Sequence, residues 1–128
     1  MKCPKCFATM ESVAFHGVEV HRCTDCHGLW FDEFDKDALA AIKGSEAIDD
    51  GDRAVGRVFN EVDRILCPCC DAPMIRMVDV RPRHVTFEHC TICGGSFLDA
   101  GEFHDLKAHS LLDYFRELGV IRSRPRGA

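Results

Sequence analysis

The sequence lacks any long uninterrupted run of apolar residues. None of its 128 residues falls in a stretch approaching the roughly 18 consecutive apolar residues that a membrane-spanning helix needs. The first residues lead into no apolar signal segment of roughly 7–15 residues. With 46% hydrophobic and 29% charged residues, the composition is that of a soluble protein. We therefore expect a cytoplasmic protein with no membrane partner.

The sequence also lacks the short motifs of common enzyme classes. It contains no G-x-S-x-G nucleophile motif, no phosphate-binding G-x-x-x-x-G-K motif and no H-E-x-x-H motif. Its seven histidines are scattered and belong to no shared motif, so we interpret them as surface or hydrogen-bonded polar residues: His16, His21, His27, His84, His89, His104 and His109. We predict that the protein is not an enzyme.

The chain has no excess of positive charge. Its 16 Lys and Arg residues against 21 Asp and Glu residues give a formal net charge of −5. Two four-thiolate zinc sites would each add about −2, for a total of about −9. This charge disfavours a nucleic-acid partner, because binding to a phosphate backbone depends mainly on Lys and Arg.

Cysteine, in contrast, is abundant, with nine residues in the chain. Without an export signal, disulfides are a poor explanation for so many cysteines. Eight of them form four C-x-x-C pairs, at residues 3–6, 23–26, 67–70 and 90–93. Pairs of this spacing are typical of metal sites.

The sequence is a two-copy repeat. A shift of 64 residues places the first cysteine pair on the third, and a shift of 67 places the second pair on the fourth. The second register continues through Gly28 and Gly95, Trp30 and Phe97, Asp32 and Asp99, and Leu39 and Leu106. Agreement in cysteines, turn residues and apolar residues together indicates a duplicated unit.

Each copy is predicted to contain a β-hairpin between its two cysteine pairs. In the first copy, alternating apolar residues stand on both sides of a turn at His16-Gly17. In the second copy, Val85 and Phe87 occupy the same offsets before Cys90. Three extra residues of the second copy fall at residues 81–83, where we expect a longer hairpin tip.

A helix is predicted after each hairpin. Asp32 and Asp99 are the expected N-caps, with Asp35 and Glu102 three residues later as in a capping box. The first helix should run to about residue 42 and the second to about 119. Their predicted apolar faces are Phe34, Ala38, Leu39 and Ile42, and Phe103, Leu106, Leu111, Tyr114, Phe115 and Leu118.

These elements define four segments. Residues 1–43 form the first ribbon with its helix, 44–66 an acidic loop and a linking helix from 53 to 66, 67–119 the second ribbon with a longer helix, and 120–128 a basic tail. The predicted fold class is a small, metal-stabilised α+β chain of tandem zinc ribbons. The apolar helix faces either pack on the ribbons of the same chain or pair between chains in a homodimer.

Two metal sites with four thiolate ligands each are predicted. A hairpin brings two C-x-x-C turns together, and Zn²⁺ accepts the resulting tetrahedron of sulfurs. The ligands are Cys3, Cys6, Cys23 and Cys26 in site one and Cys67, Cys70, Cys90 and Cys93 in site two. We expect two Zn²⁺ per chain in closed, structural sites. Iron fits the same ligands, and a disulfide or haem-attachment role is a weaker alternative.

The ninth cysteine, Cys69, aligns with Lys5 and is not predicted to be a ligand. It is either an incidental residue or an exposed thiol that oxidises easily or exchanges with Cys70 in the metal site.

The motif C-P-x-C, a hairpin, and then C-x-x-C-x-G-x-aromatic-hydrophobic-Asp resembles the transcription factor IIB-type zinc-finger family of small prokaryotic proteins. The chain carries it twice, from Cys3 to Asp32 and from Cys67 to Asp99. The resemblance implies a zinc-ribbon fold and a docking surface in transcription machinery. His27 departs from the family pattern because it replaces a glycine.

Three hypotheses for function follow. The leading one is a zinc-binding, non-enzymatic adaptor that docks on another protein, in transcription or its regulation. The second is a nucleic-acid-binding module that uses Arg76, Arg81, Arg83 and the arginines of the tail. The third is a redox or zinc sensor, in which oxidation at Cys69 and its neighbours releases metal.

Overall fold

The computed structural model describes residues 1–79 and 85–107. The predicted hairpin tip at 81–83, the helix beyond residue 107 and the basic tail lie outside the described residues, as do Arg81, Arg83, His84 and His109. In the described parts of the chain, no helix has the length and hydropathy that crossing a membrane requires.

The first hairpin forms as the apolar alternation predicts. Strand β1 (Met10–Phe15) pairs antiparallel with strand β2 (Val18–Cys23). His16 and Gly17 connect them with φ values of 50° and 80°. Two consecutive residues of positive φ give a turn whose twist matches that of the flanking strands, and glycine adopts this conformation without strain.

Each ribbon contains a third strand that we did not predict. In the first copy, strand β3 (Leu29–Phe31) pairs antiparallel with β2. In the second copy, β4 (Ile75–Val78) and β5 (Thr86–His89) form the hairpin, and β6 (Ser96–Leu98) pairs with β5. Both added strands follow directly after the last cysteine pair of their copy.

The third strands join the two ribbons into one sheet. Strands β3 and β6 pair antiparallel, which gives a six-stranded sheet of order β1-β2-β3-β6-β5-β4. Trp30 lies directly opposite Phe97, its equivalent in the repeat. The copies are therefore related by an approximate two-fold rotation centred on this pair, in the manner of a symmetric dimer within one chain.

The sheet has an apolar core on each face. The buried cluster at the metal sites includes Trp30, Phe97 and cysteines of the C-x-x-C turns. We call each of these turns a knuckle, so each ribbon has a first and a second knuckle. The other buried cluster contains Leu29, Phe31 and Leu98, together with residues of the helices. Adjacent residues of β3 and β6 fall in different clusters because successive strand residues point to opposite faces.

The first helix begins later and ends earlier than predicted. Helix α1 (Asp35–Ala40) follows Phe34, which has a left-handed φ of 74° and makes no side-chain cap bond. The prediction that Asp32 is the N-cap is wrong, since its carboxylate accepts a hydrogen bond from Trp30 Nε1 at 3.3 Å. Leu39 is buried as expected, whereas Phe34 is 77% exposed.

The linking helix is also shorter than the predicted range of 53 to 66. After a 3₁₀ turn at Ser45–Ile48 comes helix α2 (Arg53–Phe59). Its N-cap is Asp52, whose carboxylate accepts the N–H of Ala54. The chain cannot stay helical to residue 66, because Arg64 has a positive φ of 58° and Leu66 forms a β-bridge with Pro73.

Residues 102–107 form helix α3, up to the end of the second described range. Glu102 accepts the N–H of Asp99 at 2.7 Å, which is one half of the predicted capping box. The other half is wrong, since the carboxylate that caps α3 is that of Asp49. Its two oxygens accept the N–H groups of Gly101 and His104, each at 2.9 Å.

Candidate metal centres and the surfaces around them

Two clusters of four cysteine sulfurs lie at the ends of the hairpins. In each, the four Sγ atoms are within 4.8 Å of one another. The clusters bring together the residues predicted for each site: Cys3, Cys6, Cys23 and Cys26, and Cys67, Cys70, Cys90 and Cys93. No other group of three or more potential ligands occurs in residues 1–79 and 85–107.

The sulfur positions fit a tetrahedral thiolate-binding metal. With metal–sulfur bonds of about 2.3 Å, a tetrahedron separates its sulfurs by about 3.8 Å. The Sγ atoms of Cys3 and Cys26 are 3.7 Å apart, and so are those of Cys67 and Cys93, while those of Cys6 and Cys23 are closer, at 3.3 Å. The ligand set therefore suits Zn²⁺, and no fifth ligand is placed within reach among the described residues.

Backbone N–H groups of the turns point at the sulfurs. Cys23 Sγ accepts the N–H groups of Asp25 and Cys26 at 3.4 Å. In the second copy, Cys67 Sγ accepts those of Cys69 and Cys70 at 3.3 Å. Such bonds stabilise sulfur as thiolate, the form that binds metal.

The protonation of site one links metal binding to pH. A hydrogen bond from the Cys26 thiol lowers the pKa of Cys3 to about 5. The same pairing, together with burial, raises the pKa of Cys26. Without metal, one sulfur thus ionises easily while its neighbour keeps its proton. A bound Zn²⁺ would need all four cysteines of site one as thiolates, so its affinity would fall as the pH is lowered.

Both copies of the repeat match a known protein family. The model of the transcription factor zinc-finger family, TFIIB-type zinc ribbon, matches residues 2–42 and again residues 66–109. The chain belongs to this family. The predicted fold class, tandem zinc ribbons within a small α+β chain, is confirmed, and the four-cysteine sites suit the two Zn²⁺ ions expected. No curated protein and no solved structure shows a significant match.

Residue Cys69 lies in the first knuckle of the second zinc ribbon but outside its sulfur cluster. The residue is exposed. Partial desolvation of the sulfur, and then the nearby Asp32 carboxylate, raise the pKa of the Cys69 thiol. Reactive cysteines have a lowered pKa, so these surroundings do not favour the sensor hypothesis.

A buried ionic cluster joins the two zinc ribbons, and the sequence analysis missed it. The side chain of Lys5 is fully buried, and its ammonium lies 2.7 Å from Asp99 Oδ2 and 3.0 Å from Glu88 Oε1. It also donates to the carbonyl of Phe59 at 3.0 Å. Glu88 is paired in addition with Arg76 at 3.1 Å.

Burial raises the pKa of the carboxyl groups in this cluster. Desolvation raises the pKa of Asp99 to about 6, and the Lys5 ammonium opposes the shift. Burial, and next the charge of Asp99, raise the pKa of Glu102 to about 8. In the sequence, this cluster is indicated only by the difference between Lys5 and Cys69, which occupy the same position in the two copies of the repeat.

Two of the described histidines and one arginine proposed for nucleic acid have partners within the chain. His27 Nδ1 lies 2.9 Å from Asp50, and His89 Nδ1 lies 3.1 Å from the Ser96 hydroxyl. Among the arginines proposed for nucleic acid, Arg76 is occupied by Glu88 and by the carbonyl of Asn60. Its positive charge is therefore largely neutralised within the chain.

The large apolar residues that follow the second cysteine pair of each copy pack in the core. Trp30, Phe31, Phe97 and Leu98 are fully buried, so none of them is an exposed anchor. Instead, large apolar side chains are exposed at other positions near the knuckles, namely Phe7 (72%), Phe34 (77%), Leu66 (49%) and Ile92 (71%).

The two first knuckles enclose a groove between the zinc ribbons. It has a volume of about 640 Å³. Phe7, Val62 and Leu66 line it, together with Pro4 and Pro68. This groove contains no sulfur cluster of its own and leaves apolar surface open to a partner.

Proposed function

We propose that this protein is a non-enzymatic adaptor in transcription or its regulation, whose zinc ribbons dock on another protein. The main support is the combination of closed four-thiolate sites with large apolar side chains exposed beside them, Phe7 and Phe34 above all. A zinc site with four protein ligands keeps no position for substrate or water. Exposed aromatic side chains on a rigid frame act as anchors in protein interfaces.

The frame is rigid because zinc and the shared sheet hold it. The turns that carry Phe7 and Ile92 belong to metal knuckles, and the helix that follows Phe34 packs on the sheet through Leu39. A partner would therefore bind a surface that is already ordered, which lowers the entropic cost of association.

The experiment that tests this proposal is co-purification from a nuclease-treated lysate of the protein's own source. The tagged, zinc-loaded chain should retain one defined protein, such as a subunit of RNA polymerase. A matched control carries Cys70→Ser, which removes one zinc ligand, and should lose that protein if the ribbons form the docking surface.

Binding to nucleic acid instead of protein would contradict the adaptor proposal. If nuclease removes every partner, and the pure protein binds DNA or RNA with a steep salt dependence, then the chain acts on nucleic acid. Charge reversal at Arg81 and Arg83 would then abolish that binding.

A further inference from the structure

The two-fold relation between the ribbons gives every surface of one half an equivalent in the other. Strand register places Trp30 opposite Phe97. Close packing repeats as well, since Gly28 lies against the Phe97 ring and Gly95 against the Trp30 ring. A segment that covers one half without a repeat counterpart therefore leaves an equivalent surface open on the other half.

Among residues 1–79 and 85–107 the linker between the copies is such a segment, and the residues that the repeat register places opposite it, from 111 onward, lie outside the described part of the chain. Its Asp49 caps α3, its Gly56 packs directly on the Ala100 backbone, and its Arg53 packs on Gly101 and pairs with Asp105. Helix α2 thus covers the turn that precedes α3. Its sequence, RAVGRVF, combines two arginines, apolar residues and a glycine at the closest contact.

Within the part of the chain that the structure describes, the equivalent turn before α1 is uncovered. By the repeat register, Glu33 and Phe34 replace Ala100 and Gly101. They line a groove of about 290 Å³ next to the knuckle that carries Ile92. Within residues 1–79 and 85–107, no segment covers this groove as α2 covers the other half, and Phe34 and Ile92 are 77% and 71% exposed.

At Phe34 the backbone has a conformation that favours glycine, but the residue is aromatic. Phe34 has a φ of 74°, and the equivalent Gly101 has a φ of 92°. A bulky residue in the left-handed region is strained. Strain of this kind at an exposed side chain supports a role in binding rather than in packing.

The rim of this groove is acidic. Asp32, Glu33 and Asp37 are exposed, whereas Lys36, which also lines the groove, places its ammonium over the Phe87 ring at 3.7 Å. A partner that fits must bring positive charge beside an apolar side chain. The chain's own helix α2, which covers the equivalent turn of the second copy, combines arginines with apolar residues in this way.

We propose that the Phe34–Ile92 groove, lined by Asp32, Glu33, Phe34, Asp37 and Ile92, binds a helical segment of a partner protein. That segment places an apolar side chain against Phe34 and Ile92 and Lys or Arg side chains against the acidic rim. This proposal rests on the proposed adaptor function and assigns the surface that carries it.

The test is a selection from a phage-displayed library of random 12-residue peptides on the full, zinc-loaded chain. Enriched peptides should combine Lys or Arg with apolar residues. One enriched peptide is then synthesised, and its affinity is measured for wild type, Phe34→Gly and Asp37→Asn. Phe34→Gly should weaken binding about tenfold or more, whereas Asp37→Asn should weaken it less and reduce its salt dependence.

Two matched controls separate binding from folding. Val58→Ala shortens an exposed apolar side chain of α2 on the covered half, and Asp63→Asn removes an exposed acid in the groove between the first knuckles. Both should bind the peptide like wild type. Phe34→Gly should keep two zinc ions and melt no lower than wild type, because glycine relieves the left-handed strain.

Several results would overturn the proposal. These are enrichment of no peptide, enrichment of acidic peptides, equal binding to Phe34→Gly, or loss of binding in Val58→Ala instead. Conversion of a dimer to a monomer by Phe34→Gly, seen by sedimentation, would make a second copy the occupant. If Phe34→Gly still co-purifies with the cellular partner, the adaptor function stands and only this surface is wrong.

Discussion

Replacement of Lys5 by methionine tests how the two zinc ribbons are held together. Lys5 comes from the first knuckle of the first ribbon, whereas its carboxylate partners Asp99 and Glu88 belong to the second. Methionine has a similar length and keeps the apolar part of the side chain in place. The substitution therefore removes mainly the charge.

The expected loss is large because a buried charge loses its partner. Asp99 is 1% exposed, and its Oδ1 atom already has no hydrogen-bond partner. Breaking a buried ion pair from one side costs about 3–5 kcal/mol of unfolding free energy. Glu88 keeps Arg76 as a partner, so we expect a value near the lower end, about 3 kcal/mol.

The loss should increase with pH. The pKa of Asp99 is about 6 in the folded chain, raised from 3.8, so folding takes up protons in this range and stability falls as pH rises through it. Without the Lys5 ammonium, the pKa of Asp99 rises further. At pH values above that pKa, each additional unit lowers the free energy of unfolding by about 1.4 kcal/mol. The difference between Lys5→Met and wild type should thus be larger at pH 8 than at pH 5.

The assay is urea unfolding in zinc-buffered solution, at several pH values. Lys2→Met, an exposed lysine of the same knuckle, is the control and should change stability by less than about 0.5 kcal/mol. The double variant Lys5→Met/Asp99→Asn should recover part of the loss, since the unpaired charge is gone. A loss below about 1 kcal/mol for Lys5→Met, or one independent of pH, would refute the reasoning.

Three further tests address other features. Cys70→Ser should bind one zinc ion by metal analysis and Cys69→Ser two; equal zinc contents would contradict the ligand assignment. Gly56→Ala should lower the free energy of unfolding by about 1–3 kcal/mol, because its methyl group would overlap the Ala100 backbone; an unchanged urea midpoint would oppose this packing. Glu102→Gln should gain stability relative to wild type as pH rises from about 5 to about 8, and a parallel pH profile of the two proteins would count against burial of that charge.

The local elements followed from the sequence because their contacts are short-range. The His16-Gly17 turn and its flanking alternation predicted β1 and β2, since a hairpin depends on neighbouring residues. The N-caps were predicted less well. Asp32 and Asp99 stand where a cap should, but the Trp30 ring and the Lys5 ammonium engage their carboxylates, and these partners depend on tertiary packing.

By itself the sequence determined the duplicated ribbon and the cysteines of the two zinc sites. The spacing within each C-x-x-C pair is a local property, and the repeat shows which pairs belong together. Only the tertiary structure decided that β3 and β6 join the ribbons into one sheet, that Asp49 caps α3, and that Lys5 is buried against Asp99. Those contacts join residues far apart in the chain, and they depend on how two nearly equal halves are oriented, which no local pattern specifies.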